Sequence, residues 1–156
     1  MIELHDSDFD TIDGFPLLWR WSDENHTAFV PQELNLIRPL KPETSLKLHN
    51  KLLTVDQQYG LNRNLTNNFR EIYPNDDNDD TIQDWLIKLP VTETEQILLS
   101  WTPEIAIMTT WKLFTGRWSD FWYPSSDDLT VTSVSMDWVL AISHYGRIQW
   151  AEWING

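Results

Sequence analysis

The sequence predicts an α+β fold, with N-terminal and central helices packed on a C-terminal antiparallel sheet that ends in a hairpin. Residues 42–59 and 81–89 carry apolar side chains at helical spacing and are bounded by proline and glycine. Residues 129–153 break into short β-rich runs separated by turn residues. No composition break or internal repeat divides the 156 residues, so 1–156 reads as one globular domain with room for a proper core.

Taken in order, residues 1–16 hold Glu3, Asp6, Asp8, Asp10 and Asp13 with no Lys or Arg, and read as an acidic, mostly irregular arm. Residues 17–21 read as a short strand with Trp19 and Trp21 on one face. A polar loop follows over 22–27, then a helical turn from Pro31 that stops at Pro39. Pro42 opens a helix whose stripe is Leu48, Leu52, Val55 and Tyr59, widened by Leu46 and Leu53, with Gly60 as its stop. Residues 61–68 read as loop, and 69–72 as a short helix. The run Asn75 to Asp80 reads as an acidic loop capping a helix over 81–89, buried through Ile82, Trp85, Leu86 and Leu89.

Residues 97–101 read as a buried strand, with the start of the next helix as the alternative. Thr102-Pro103 then suits a helix start, with Ile107, Met108, Trp111 and Phe114 on one face, although the β-branched content leaves a strand as the alternative. Tyr123 to Asp128 is turn chemistry. Three antiparallel strands complete the chain, from Leu129, Trp138 and Arg147, the last two joined by a tight turn at His144-Tyr145-Gly146. Trp138, Leu140 and Ile142 share one face, Ile148 and Trp150 another. Trp150 and Trp153 point to opposite faces of their strand, which predicts that not every tryptophan is buried.

Composition excludes several function classes. The formal charge is −13, from 24 acids against 11 bases, so the surface repels phosphate backbones and anionic membranes. No apolar run approaches the roughly eighteen residues of a membrane span. There is no cysteine, hence no disulfide, thiol nucleophile or thiolate metal site. The N-terminus lacks the features of a signal peptide, which points to the cytoplasm. Within that soluble frame, the acidity suits a partner with a basic face.

No motif specifies a reaction, a metal or a cofactor. Asp6-Asp8-Asp10 and Asp76-Asn78-Asp80 alternate like calcium loops, but Thr11 and Thr81 replace the required glycine, and Leu17 and Ile87 the closing acid. The histidines have no i, i+4 pair, and so no zinc spacing. The candidate binding residues are Trp122, Tyr123, Ser125, Ser126, Asp127 and Asp128, with His144 a neighbour in space. They contain a nucleophile, a base and an orienting acid by type, without the elbow motif of a serine hydrolase. Six of the ten tryptophans lie between Trp111 and Trp153. Most are expected in the core, with one or two free to line a recognition surface.

The segment from Trp111 through Trp153 resembles small bacterial domains of unknown function. The likeness rests on Trp118, Phe121, the Tyr123-Pro124-Ser125-Ser126-Asp127-Asp128 turn, Trp138-Val139-Leu140 and His144, about a third of the chain. Some small acidic proteins similar to these are immunity proteins, which neutralise a toxin by binding it. The resemblance therefore implies a non-catalytic, protein-binding domain of immunity or regulator type. The alternative expectation is a small hydrolase or carbohydrate-binding protein that uses the Tyr123–Asp128 turn.

Overall fold

The alternation of apolar residues along the C-terminal strands has no polar side. In Trp138–Ile142 every residue is buried, which requires cover on both faces of the sheet. The computed structural model, which describes residues 1–23, 28–74 and 79–156, supplies that cover. Its elements are α1 (Trp19–Ser22), α2 (Pro31–Leu34), β1 (Arg38–Pro39), α3 (Pro42–Leu52), β2 (Asp56–Gln57), β3 (Gly60–Leu61), β4 (Thr66–Ile72), α4 (Asp79–Ile87), β5 (Gln96–Thr102), β6 (Ile105–Thr110), α5 (Trp111–Gly116), α6 (Trp118–Phe121), β7 (Leu129–Ser133), β8 (Trp138–Ile142) and β9 (Ile148–Trp153).

The fold is α+β, as the sequence predicts, built on a seven-stranded antiparallel sheet of order β1-β6-β5-β7-β8-β9-β4. One face packs Ile97, Leu99, Val131, Leu140 and Trp150 against α4, α5, α6 and Trp21. The other packs Leu98, Met108, Val139 and Ala151 against Leu48 and Leu52 of α3. Trp150 and Trp153 do lie on opposite faces, yet both are buried. Trp21, Trp101, Trp111, Trp118, Trp122 and Trp138 are buried too, Trp85 is half-buried, and Trp19 alone is exposed, at 46%. Trp138, Leu140 and Ile142 share their face with Ile148 and Trp150 rather than opposing them, because Leu140 pairs with Trp150 and Ile142 with Ile148.

Several elements differ from expectation. Residues 19–22 are helical, not a strand. Two residues apart on a helix is about 200° of rotation, so Trp21 is buried while Trp19 is exposed. The pair at 102–103 opens a hairpin rather than a helix. Thr102 pairs with Ile105 across the turn, and its hydroxyl accepts from the Glu104 amide at 3.3 Å. Proline at the second position of a turn and at the first of a helix demand the same φ. The helix starts later, where the Thr110 hydroxyl accepts from the Leu113 amide.

Residues 69–72 belong to β4. Its register slips between Asn67 and Arg70, with Asn68 at φ 52, so Phe69 and Ile72 reach opposite faces at a spacing that mimics a helix. Helix α3 ends at Leu52, eight residues before Gly60; Leu53 and Tyr59 beyond its end are exposed, as is Leu46 within it. The acidic arm is tied down by Asp8, which accepts from the Thr44 hydroxyl at 2.8 Å and the His5 amide at 2.8 Å. Residues 24–27 of the expected polar loop and 75–78 of the acidic run lie outside the described residues, while Ser22 closes α1 and Asp79 and Asp80 open α4. Among the described residues no helix is long and apolar enough to cross a membrane.

Candidate functional site: a cleft beside the Tyr123–Asp128 turn

The turn divides into two functions between adjacent acids. Asp127 is buried and meets Arg20 of α1 in a bidentate pair, Nη1 to Oδ2 at 2.6 Å and Nη2 to Oδ1 at 3.1 Å. Its Oδ2 also accepts from the Tyr123 amide at 2.9 Å, and its carbonyl accepts from the Trp122 indole at 2.9 Å. The Tyr123 ring lies 4.0 Å from the Arg20 guanidinium. Burial pushes the Tyr123 phenol above its usual range, with Arg20 opposing. Trp122 stacks on Trp118 at 6.0 Å. Trp122, Tyr123 and Asp127 thus form an anchor that fastens α1 to the turn.

Asp128 points elsewhere. Its Oδ1 accepts from the His144 amide at 2.8 Å and lies 3.0 Å from His144 Nδ1. Ser125, at φ 68, donates its amide to the His144 carbonyl at 3.0 Å. The turn and the β8–β9 hairpin are therefore joined, as the sequence suggested for His144. Ser126 makes only long contacts, at 3.4 Å, to Tyr123 and Asp127.

Asp128 and His144 form one wall of a cleft of about 550 Å³. Its floor is a row of short side chains across three strands, since Ser100 of β5 pairs with Thr130 of β7, which pairs with Ala141 of β8. The cleft exists because α3 ends at Leu52, short of this row, and the chain then folds into the β2–β3 hairpin above it. That hairpin contributes Asp56 and Tyr59. It is held down by Gln149, the next residue in the row, whose Oε1 accepts from the Leu61 amide at 2.9 Å and whose Nε2 donates to Glu71 at 2.7 Å. Gly60 crosses Gln149 so closely that a Cβ would sit 2.6 Å from Oε1, and its φ is +120.

Asp56 is the residue that sequence reading missed. Half-buried, it accepts from the Thr130 hydroxyl at 2.6 Å through Oδ2. Burial raises its carboxyl above the ordinary value of 3.8. The Thr130 bond opposes the rise, the charge of Asp128 adds to it, and Arg147 and His49 oppose it more weakly. No ion pair involves Asp56 among the described residues. Arg147 is engaged on the rim, donating to the Tyr59 carbonyl at 3.2 Å beside the Tyr145 ring. Ser100 is buried, and among the described residues its hydroxyl has no hydrogen-bond partner. Nothing local in the sequence marks Asp56 or Ser100, because both acquire their setting from strands far away in the chain.

Tyr59 and Tyr145 flank the opening, 86% and 60% exposed, with Leu53 beside them. The cleft therefore offers carboxylates and a hydroxyl inside and aromatic surface outside. Among the described residues no three of His, Cys, Asp and Glu are grouped so as to hold a metal ion. No family model, curated protein or solved structure matches the chain.

Proposed function

We propose that this protein is a non-catalytic protein-binding module, of immunity or regulator type, that takes a basic partner against the cleft face. The observation that carries the reading is the pair of exposed tyrosines, Tyr59 and Tyr145, at the mouth of a cleft holding Asp56 and Asp128. Exposed tyrosines are favoured anchors of interfaces, and an acidic surface steers a basic partner toward them. The net charge of −13 provides that steering over the whole chain.

The test begins with a partner retained at low salt, identified and purified, whose affinity is then measured by calorimetry. Each tyrosine, as an anchor, contributes on the order of 2 kcal/mol, so Tyr59→Ala and Tyr145→Ala should each weaken binding about thirtyfold. The affinity should also fall as salt rises. Binding indifferent to both tyrosines and to salt would refute the reading.

A small hydrolase or carbohydrate-binding protein is the second reading. It is favoured by one observation, the Asp128–His144 pair in the same cleft as the Ser100 hydroxyl. Turnover of nitrophenyl esters or glycosides by the wild type, lost in His144→Ala, would establish it.

A further inference from the structure

We propose that the cleft is a socket for the ammonium group of a lysine side chain carried by the basic partner. This rests on the protein-binding reading above and specifies what the cleft recognises. Among the described residues, three oxygens in the cleft have no hydrogen-bond donor. Asp56 has Oδ2 on Thr130, with no donor to Oδ1; Asp128 has Oδ1 on His144, with none to Oδ2; and the Ser100 hydroxyl is buried with no partner at all.

A buried hydroxyl left unpaired costs stability unless something else satisfies it. The row it belongs to is otherwise economical, since Thr130 and Gln149 both have partners. The Ser100 hydroxyl can donate as well as accept, and because Ser100 lines the cleft a ligand seated there is one source of its missing partner.

The ligand chemistry follows from the acceptors. They are one hydroxyl and two carboxylates, each already committed at one oxygen, so no free fork of paired oxygens faces the guanidinium of an arginine. An ammonium presents three single donors on a slender stem, which suits three separate acceptors. The charge balance permits it. Asp56 and Asp128 face the site from β2 and from the start of β7, His49 from α3 and Arg147 from the approach to β9. The influence of Asp128 on Asp56 exceeds that of Arg147, whose guanidinium is held by the Tyr59 carbonyl. A lysine stem would lie against the exposed Tyr59 ring, which favours contact with its methylenes and its charge, while the Tyr145 ring already faces Arg147.

The experiment uses the full chain and three probes: the peptide acetyl-Gly-Lys-Gly-amide, its norleucine counterpart, and n-butylammonium. Amide resonances are followed by NMR. The lysine peptide should shift Asp56, Ser100 and Thr130 saturably, and the norleucine peptide should not. Asp56→Asn, which keeps an acceptor for Thr130, should weaken the peptide at least tenfold. Ser100→Ala, which removes no hydrogen bond and relieves an unpaired buried hydroxyl, should weaken it several-fold without lowering the melting temperature of the free protein. The peptide should bind more tightly than n-butylammonium, because its backbone adds contacts outside the cleft that the bare stem lacks. Equal affinity for the norleucine peptide, indifference to Asp56→Asn, or equal affinity for n-butylammonium would each overturn the assignment. A partner that binds through Tyr59 and Tyr145 but is unaffected by Asp56→Asn would also overturn it, while leaving the protein-binding reading in place.

Discussion

Replacing Asp127 by Asn tests the division of the turn into an anchor and a cleft wall. The substitution removes a charge from a pair whose side chains are 7% and 9% exposed for Arg20 and Asp127, so the Arg20 guanidinium is left uncompensated inside the protein. Breaking such a pair from one side costs about 3–5 kcal/mol, a large share of the roughly 5–15 kcal/mol that stabilises a typical domain. For a chain of this size each kcal/mol moves the melting temperature by about 2–4 °C, so a fall of about 6–20 °C is expected. The asparagine can still accept from the Tyr123 amide, which isolates the loss of charge from the loss of the turn. Arg20→Met should cost a similar amount by stranding the carboxylate. The double variant should lose much less than the sum, since neither charge is then buried alone. Urea denaturation of the four proteins, with near-ultraviolet circular dichroism to verify the folds, gives the cycle. Additive losses, or a loss below about 1 kcal/mol for Asp127→Asn, would refute the reasoning.

The hairpin above the cleft has its own test in Gly60→Ala: a side chain at φ +120 that also meets Gln149 should cost about 1–3 kcal/mol in denaturation, and an unchanged stability would contradict the close crossing. Glu33 pairs with Arg117 at 2.9 and 3.1 Å, and the Arg117 hydrogen bond holds its carboxyl below the ordinary value of 4.5. The pair should therefore stabilise the protein above that value and fade as pH falls through the lowered one. The difference between wild type and Glu33→Gln should vanish in acid; a constant difference would count against the ion pair. Asp56 has the opposite sign. With its carboxyl raised, the folded chain holds more protons than the unfolded one from pH 3.8 upward, so stability falls as pH rises through that window. Asp56→Asn should remove that fall and leave the protein more stable than wild type at neutral pH, and a variant less stable there would contradict the burial argument.

What was legible in the sequence was whatever local chemistry decides. Helices α3 and α4 show their apolar stripes and the C-terminal strands their turn residues, and these elements form, although α3 stops at Leu52 instead of running on to Gly60. The errors share a cause. Pro103 satisfies a helix start and a β-turn equally, and only pairing with β5 decides between them. Strand β4 reads as loop up to residue 68 and as a short helix over 69–72 because an edge strand with mostly exposed side chains shows little hydrophobic alternation, and the bulge at Asn68 scrambles what there is. The tryptophans could not be sorted without knowing that the sheet is covered on both faces. The same limit applies to the site. The proximity of His144 to the turn follows from a hairpin visible in sequence, whereas the neighbours of Asp56 come from β5 and β7, roughly 45 to 75 residues away along the chain. Local pattern reveals turns; only the assembled sheet reveals which acid loses its water.

The most direct measurement of the central claim is the titration of the Asp56 side-chain carboxyl by carbon-13 NMR, with and without the lysine peptide. In the free protein its midpoint should lie above the ordinary 3.8, because burial and Asp128 disfavour the charge. With the peptide bound, the ammonium favours the ionised form, so the midpoint should drop and the peptide should bind more tightly as pH rises through the free value. An ordinary midpoint that the peptide leaves unmoved would contradict the account.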